Sequence, residues 1–257
     1  MLHAIADPVE GVAQEVAALY GIPKWTLDAS ELIQDPEIDA VIICSPTDKH
    51  AEQIVKAAKH KKHIFCEKPI DLTLDIVNHA IKAFTFTSQC NIMLKLVHLQ
   101  VEDAGAPPIA YINVSGGMFC DMTIHDFDMA RFLVGAEVDE VYAMAQSVNP
   151  EIAAAGDIDT AVVLLRFQNG VIAYIENSRE AAYGYDQRVE VLGSKGSASC
   201  DNNYANTVVV STKHAVQRDV PLHFFLERYM DAYVAEMETF IRVCNDESAT
   251  VPSSLSQ

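Results

Sequence analysis

The sequence predicts an α/β chain in two parts, a parallel sheet followed by a large, open and mostly antiparallel sheet. In the first third, short apolar runs alternate with helical patterns, which is typical of parallel strands joined by helical crossovers. Beyond residue 115, one helical pattern is followed by strand-like runs joined by turn signals, which favours antiparallel pairing. A linker-like stretch ends in Pro107-Pro108, and we therefore predict domains of residues 1–106 and 107–257.

The first domain shows three apolar runs and three helical patterns. Residues 9–20 carry apolar side chains at helical spacing and end at Gly21, a residue favoured just after a last helical turn. Residues 40–44 are continuously apolar, as expected for a strand covered on both faces. This order is that of a partial Rossmann-like domain. The predicted strands are 2–6, 40–44 and 63–66, and the predicted helices are 9–20, 49–60 and 73–83.

The segment of residues 84–110 fits neither pattern. Residues 84–89 have no helical or clean strand period, and residues 104–108 have the composition of a linker. We therefore expect irregular chain here and place the domain boundary within it.

The second domain begins with a helix at about residues 121–134 and continues with strands. Asn169-Gly170 is a strong signal for a two-residue hairpin, and Gly193-Ser194-Lys195-Gly196 predicts a second turn. A long amphipathic helix at about residues 224–244 precedes a polar tail. The predicted strands are 138–148, 159–167, 171–179, 187–192 and 206–211. Together they predict an α+β domain.

Composition restricts the partners of the chain. Its 257 residues carry 18 Lys and Arg against 36 Asp and Glu, a formal charge of −18. Such a surface repels phosphate backbones and anionic lipid, so we expect no nucleic-acid and no membrane partner. No apolar run reaches the roughly 20 residues of a membrane span, and the first residues lack a basic leader pattern. We predict a cytoplasmic protein.

The cysteines indicate neither disulfides nor a zinc site. No two of them form a C-x-x-C pair, and two lie in apolar runs where a free thiol behaves as a small apolar group. We expect all of them to be reduced, as in a cytosol, and we predict no metal. The six are Cys44, Cys66, Cys90, Cys120, Cys200 and Cys244.

Polar residues follow two of the predicted strands, where open α/β sheets bind ligands. Asp7 could accept hydrogen bonds from a ribose, and it would favour NAD over NADP by repelling a 2′-phosphate. The alternative is an acid placed at a helix N-terminus. Ser45-Pro46-Thr47 and His50 follow the second strand; Thr47 or Asp48 could instead cap the next helix.

Glu67-Lys68-Pro69 ends the third predicted strand. A lysine there could donate to a substrate hydroxyl or to the alkoxide that forms as hydride leaves. Pro69 could hold a tight turn, with a cis peptide bond, that directs Lys68. A surface turn is the alternative for these residues.

Asp121 and His125 have the i, i+4 spacing that brings side chains onto one helix face. His125 can take a proton near neutral pH, and Asp121 could orient it or stabilise its cationic form. The alternatives are a simple helix pair or a metal site with Asp128. Tyr183 and Tyr185 could place phenols where a polyol would lie, and Arg179 is a further polar candidate; aromatic turn residues can equally cap a core.

In their order, these motifs resemble the Gfo/Idh/MocA oxidoreductase family, and within it the inositol 2-dehydrogenase group. The similarity covers residues 2–83 and 107–245. It rests most strongly on the run Ser115-Gly116-Gly117-Met118-Phe119-Cys120-Asp121-Met122-Thr123-Ile124-His125-Asp126-Phe127-Asp128. The supporting motifs are Ala6-Asp7-Pro8, Ser45-Pro46-Thr47 with His50, Phe65-Cys66-Glu67-Lys68-Pro69, Tyr183-Gly184-Tyr185-Asp186-Gln187-Arg188 and Gly193-Ser194-Lys195-Gly196.

The resemblance implies an NAD-dependent dehydrogenase that oxidises a hydroxyl of a cyclic polyol or sugar, with residues 107–257 forming the substrate and oligomerisation domain. His125 would take the hydroxyl proton, Lys68 would polarise the oxygen, and Asp121 would hold both. Residues Asp7, Ser45, Pro46, Thr47, His50, Glu67 and Lys68 would contact NAD, and Tyr183 and Tyr185 the substrate. A homo-oligomer through the C-terminal open sheet is also implied.

The sequence departs from this family at three places. It has no G-x-G-x-x-G loop before Asp7, residues 84–106 lack a further strand and an arginine-bearing segment, and a last helix is absent. We expect a truncated chain in which the two neighbours of a missing strand lack hydrogen-bond partners on one side. We also expect weak or no NAD binding, since the glycine loop supplies N–H groups to the pyrophosphate. The alternative function is a catalytically inactive oligomer partner or a damaged gene product.

Overall fold

The computed structural model describes the backbone of residues 1–81 and 94–246, and the side chains of residues 1–77 and 98–246. The chain forms two compact units. The first contains residues 1–87 and 238–257, and the second contains residues 88–237. Cys90 and the polar tail beyond residue 246 lie outside the described residues.

The N-terminal unit alternates short strands with helices. Its elements are β1 (Ala4–Ala6), α1 (Glu10–Tyr20), β2 (Lys24–Thr26), α2 (Ala29–Gln34), β3 (Ala40–Ile43), α3 (Thr47–Lys59), β4 (His63–Cys66) and α4 (Leu74–Ile81). The strand and helix predictions are confirmed to within a few residues, while β2 and α2 were missed. Three residues are too few to show a strand period, and β2 is a strand because it pairs in parallel with β1.

The strands of this unit form two separate parallel pairs. β1 pairs with β2 and β3 pairs with β4, and within the described residues no strand hydrogen-bonds to both β1 and β3. The expectation that both faces of residues 40–44 are covered is wrong, since Ile43 is buried while Ile42 and Cys44 are exposed.

Helix α3 covers one face of the β3–β4 pair. Its buried residues recur at helical spacing, and Ile54 packs with Ile43 of β3 in a small core that also contacts Ile64 and Ile70. Because α3 begins at Thr47, soon after β3 ends at Ile43, the N-terminus of α3 follows the polar loop at the carboxyl end of that strand.

The second unit is organised around a six-stranded sheet with the order β10-β9-β5-β8-β7-β6. All neighbours are antiparallel except β5 and β8, which confirms a mostly antiparallel sheet. The elements are β5 (Leu94–Glu102), α5 (Ile109–Ser115), a π-helical turn (Phe119–Thr123), α6 (Ile124–Val134), β6 (Val138–Gln146), α7 (Pro150–Ala154), β7 (Thr160–Phe167), β8 (Ile172–Ser178), β9 (Asp186–Gly193), β10 (Gly196–Cys200), β11 (Val209–Ser211), β12 (Val216–Arg218) and the first part of α8 (Phe225–Asn245), whose residues from 238 onward belong to the first unit.

The positions of both predicted turns are confirmed, but the first is not the predicted two-residue hairpin, because Phe167 N donates to Val171 O across a loop of residues 168–170. Residues 168–171 join β7 to β8, with Gly170 at a positive φ of 83° that a residue with a side chain rarely adopts. The side chain of Asn169 accepts a hydrogen bond from Val171 N. The second turn joins β9 to β10, where Gly193 and Gly196 are paired.

Strand β5 was not expected, because we predicted irregular chain for residues 84–110. It lies between β8 and β9, so both of its edges are hydrogen-bonded within the sheet. Such a central position stabilises a strand through pairing that sequence period alone does not reveal. β5 precedes the predicted domain boundary at residue 106, yet it belongs to the sheet of the second unit.

The two faces of this sheet differ. One face packs on α6 around a core of Leu99, Ala130, Val134, Val163, Leu165, Phe167, Val171, Ala173 and Ile175. The opposite face carries residues at the alternate strand positions, and many of them are exposed: Tyr142, Met144, Val162, Leu164 and Ile172. We call this second face the open face.

Among the helices that the structure describes, none combines the length and the apolar composition that a membrane span requires.

Candidate active site

Asp121 and His125 lie where two kinds of helix meet. Asp121 belongs to the π-helical turn Phe119–Thr123, and His125 is the second residue of α6. A single helix at about residues 121–134 was predicted, so the helix is confirmed but its first turn is widened. Such π-helical turns recur at functional sites. The His125 side chain is exposed, while that of Asp121 is 12 % exposed.

Both carboxylate oxygens of Asp121 are held by donors from other elements. The hydroxyl of Tyr111, on α5, donates to Oδ1 at 2.8 Å, and the guanidinium of Arg179 donates to Oδ2 at 3.1 Å. Burial, followed by the hydrogen bond to Asp121, raises the pKa of Tyr111 to about 12, so this phenol remains a donor at neutral pH. Asp121 is therefore fixed as an acceptor.

Arg179 follows β8 and is fully buried, with 0 % exposure. Its second terminal nitrogen donates to Oδ2 of Asp157 at 3.2 Å, and Asp157 Oδ1 accepts from Met118 N at 3.1 Å. From the sequence, Arg179 is only a further polar candidate, and neither Tyr111 nor Asp157 is expected at the site. No local pattern could have joined these residues, because they are separated by tens of positions in the chain.

Asp126, the residue after His125 in the sequence, is buried, with 1 % exposure. Asn177 Nδ2 donates to its Oδ2 at 2.8 Å, while the amide oxygen of Asn177 is buried without a hydrogen-bond partner among the described atoms. Burial raises the pKa of Asp126 to about 7, against the opposing effect of the Asn177 hydrogen bond. A protonated Asp126 could donate to that amide oxygen, which would satisfy both groups.

In the N-terminal unit, Asp7 directly follows β1. Its Oδ1 accepts a hydrogen bond from Val9 N at 2.8 Å, at the start of α1. The structure thus gives this carboxylate a local role at the helix entrance, which was the alternative to ribose binding. One carboxylate can do both, since each oxygen has two acceptor positions.

The loop after β3 is braced by His50. Its side chain is 2 % exposed, and its two ring nitrogens lie 2.8 Å from Pro69 O and 2.6 Å from Ser45 O. His50 thereby connects the loops that follow β3 and β4. The alternative of capping by Thr47 or Asp48 is wrong, because α3 begins at Thr47 and its N-cap is Pro46, which makes no side-chain hydrogen bond.

The loop after β4 presents Glu67 and Lys68. The peptide bond between Lys68 and Pro69 is cis, as the sequence led us to expect, and Lys68 is exposed. Burial raises the pKa of the neighbouring Cys66 to about 12, so this thiol is inert at neutral pH.

The polar groups at the strand ends of the N-terminal unit fit the hydrogen-bonding groups of a dinucleotide. Asp7 offers a carboxylate for ribose hydroxyls, and the loops after β3 and β4 lie at the carboxyl ends of parallel strands. The first turn of α3 lacks a side-chain cap, which leaves its N-terminus available to an oxygen ligand. Residues 1–77 contain no glycine-rich loop for a pyrophosphate.

The two predicted substrate tyrosines occupy different surroundings. The Tyr183 hydroxyl lies against the carboxylates of Glu102 and Asp186. Burial and these hydrogen bonds raise its pKa. Tyr185 is 9 % exposed, and its ring packs against Phe225 and Tyr229 in a core with Met118 and Met122. Only Tyr183 is exposed to solvent.

The structure therefore groups the predicted residues within each unit. In the first unit, His50 connects the Ser45 loop with the loop of Lys68 and Pro69. In the second, Asp121 and His125 lie at the start of α6, with Asp121 anchored by Arg179. Two polar centres result, one on strand ends and one at a helix N-terminus.

A parallel-strand unit with this donor set, joined to an open-sheet unit with an acid and an imidazole, defines an oxidoreductase of the Rossmann type. Residues 1–93 match the family model described as "Oxidoreductase family, NAD-binding Rossmann fold", and residues 93–199 match the "GFO/IDH/MocA C-terminal domain". The chain belongs to the Gfo/Idh/MocA family. The predicted family and fold class are confirmed.

The chain is similar to several inositol dehydrogenases. A myo-inositol 2-dehydrogenase from Thermotoga maritima is 43 % identical over 270 residues, covering 94 % of this chain and 80 % of the relative. The crystal structure of a probable dehydrogenase from Thermotoga maritima matches with a TM-score of 0.93 at 41 % identity, covering 100 % of this chain and 84 % of that one. A scyllo-inositol dehydrogenase from Lactobacillus casei, solved with NAD(H) and scyllo-inositol, has a TM-score of 0.85 at 25 % identity, covering 99 % and 84 %.

Proposed function

We propose that this chain is an NAD-dependent dehydrogenase that oxidises a ring hydroxyl of inositol or of a related cyclic polyol. The observation that carries the proposal is the exposed His125, four residues after the anchored Asp121, in a chain of this oxidoreductase family. The similarity to inositol dehydrogenases, including one solved with NAD(H) and scyllo-inositol, supports the substrate class. It favours an enzyme over an inactive oligomer partner.

Each polar group has a distinct task in this proposal. His125 takes the proton of the substrate hydroxyl, for which an imidazole is suited near neutral pH. Asp121 orients His125 and stabilises its cationic form, and Lys68 donates a hydrogen bond to the substrate oxygen. NAD, when bound, accepts the hydride from the carbon that carries the hydroxyl.

The cofactor is held by the loops of the N-terminal unit. We propose contacts from Asp7, Ser45, Pro46, Thr47, Glu67 and Lys68, with His50 acting mainly as the brace between two loops. On the substrate side we propose Tyr183 as a contact and Tyr185 as a support packed in the core. The protein is proposed to bind no metal.

Two further proposals concern the assembly and its location. The open face carries a group of exposed apolar side chains that a second copy would cover, so we propose a homo-oligomer through the C-terminal sheet. The five cysteines among the described residues are all free thiols, which supports a reducing compartment such as the cytoplasm.

Steady-state kinetics with NAD and either myo-inositol or scyllo-inositol tests the function. We expect His125→Gln to lower kcat by about 10²- to 10⁴-fold, the usual contribution of a general base. His214→Gln is the matched control, since His214 is an exposed histidine of the same unit in the turn between β11 and β12. Full activity of the His125 variant, or no oxidation of any polyol by the unaltered chain, would contradict the proposal.

A further inference from the structure

We propose that Arg179 is a positioning residue that fixes the carboxylate of Asp121 for the reaction, with Asp157 orienting Arg179 in turn. This inference rests on the proposed dehydrogenase function. It assigns a role to a buried ion-pair chain that runs from Asp157 through Arg179 to Asp121.

The geometry leaves Asp121 little rotational freedom. Its two oxygens accept from groups on different elements, Tyr111 on α5 and Arg179 after β8, at 2.8 and 3.1 Å. A carboxylate with one donor can turn about its χ2 torsion, whereas two donors in different directions fix its plane. Arg179 and Tyr111 thereby set the orientation of the Asp121 carboxylate.

Arg179 is itself fixed by Asp157. Each of its terminal nitrogens donates to a different carboxylate, and the guanidinium is fully buried. Asp157 is held by Met118 N, and a Cβ placed on Gly117 would lie only 2.8 Å from Asp157 Oδ1. Gly117, at a φ of 79°, therefore permits the close approach of Asp157 to the backbone.

Charge explains why an arginine is needed. Two carboxylates, each 12 % exposed, share one guanidinium in a region of low dielectric. Without that cation, Asp121 and Asp157 would be like charges with reduced solvation, and each would lose a donor that fixes its orientation. A lysine retains the charge but lacks the planar fork that reaches two carboxylates at once.

The arrangement makes a prediction that separates positioning from packing. Two donors hold Asp121, Tyr111 from α5 and Arg179 from the end of β8. Arg179 reaches Asp121 and Asp157 at once through its planar guanidinium, which a single ammonium group cannot do. Arg179→Lys should therefore keep the buried charge and the fold but let the Asp121 carboxylate move, whereas a role in packing alone would change stability and leave that mobility as it is.

The experiment compares Arg179→Gln, Arg179→Lys and the double variant Arg179→Gln/Asp157→Asn with the unaltered chain. The double variant removes one carboxylate together with the guanidinium, and so keeps a folded protein available if Arg179→Gln unfolds. Arg131→Gln is the control, since Arg131 also pairs with a carboxylate, Glu137, but on the surface of α6.

We expect Arg179→Gln to lower kcat at least tenfold with the KM for NAD nearly unchanged, because a misplaced group affects the chemical step more than cofactor binding. Arg179→Lys should restore only part of kcat. The mobility of the Asp121 side chain, measured by ¹³C NMR relaxation and assigned with Asp121→Asn, should increase in both variants, and this measurement needs no turnover.

The outcomes are distinguishable. An unaltered chain without polyol oxidation would contradict the proposed function, while the NMR relaxation measurement would still test the positioning role. An unchanged mobility of the Asp121 side chain in Arg179→Gln and in the double variant would overturn the role of Arg179. So would an increase of equal size in Arg131→Gln.

Discussion

His50 Nδ1 lies 2.8 Å from the carbonyl oxygen of Pro69, while Nε2 of the same ring lies 2.6 Å from Ser45 O. One buried imidazole thus connects the loops at the carboxyl ends of two parallel strands. A neutral ring can donate to only one of these carbonyls, and a doubly protonated ring can donate to both. The loops proposed to contact the cofactor are held by this side chain.

Replacement of His50 should loosen both loops. We expect His50→Gln to lower the free energy of unfolding by about 1–3 kcal/mol, because a buried carbonyl loses its donor. Urea unfolding measures this change. His63→Gln, an exposed histidine on β4, is the control and should change stability by less than about 0.5 kcal/mol. Equal effects of the two substitutions would contradict the bracing role.

Asp126 should make stability depend on pH. Its pKa rises from 3.8 to about 7 on folding, so between these values the folded chain binds more protons than the unfolded one. This group therefore stabilises the fold less as pH rises through that interval. Asn mimics the protonated acid and does not titrate. As the pH is raised from 4 to 8, we therefore expect the unfolding free energy of Asp126→Asn to gain on the order of 2–4 kcal/mol relative to that of the unaltered chain.

Chemical denaturation at the two pH values measures that gain. Asp128→Asn, an exposed acid on the same helix, is the control and should show no comparable dependence on pH. An unfolding free energy that changes with pH in the same way for the unaltered chain and for Asp126→Asn would show that Asp126 does not titrate in this range.

The open face should control assembly. Met144 and Val141 lie on opposite faces of β6 with similar exposure, 66 % and 63 %. We expect Met144→Glu, on the open face, to dissociate the oligomer, since it would bury a charge in the interface. Val141→Glu is the matched control on the other face. Light scattering coupled to size-exclusion chromatography measures the mass; an unchanged mass for Met144→Glu would contradict this interface.

Periodicity and turn chemistry predicted most of the second unit. Asn169-Gly170 located the β7–β8 hairpin, because a positive φ next to an asparagine is a local property. Strand β5 escaped prediction because its stability comes from two partners far away in the sequence. In the same way, β2 is defined by its pairing with β1.

The residues of the candidate site also fall into two groups, those that local sequence predicts and those that only the fold brings together. Asp121 and His125 could be selected from their spacing and residue types, which are local properties. The anchors of Asp121 could not, because Tyr111, Asp157 and Arg179 come from separate elements that only the folded unit brings together. His50 was predicted to contact the cofactor, but burial of its ring shows a bracing role as well.

By itself, the sequence determined the class of fold, the family and the residue types able to move a proton, since these follow from local patterns and from the order of motifs. Only the tertiary structure decided which charges are buried together, which ring nitrogens face carbonyls, and which face of the sheet is left uncovered. Those properties depend on distances between residues remote in the chain, and packing sets these distances through burial and hydrogen bonding.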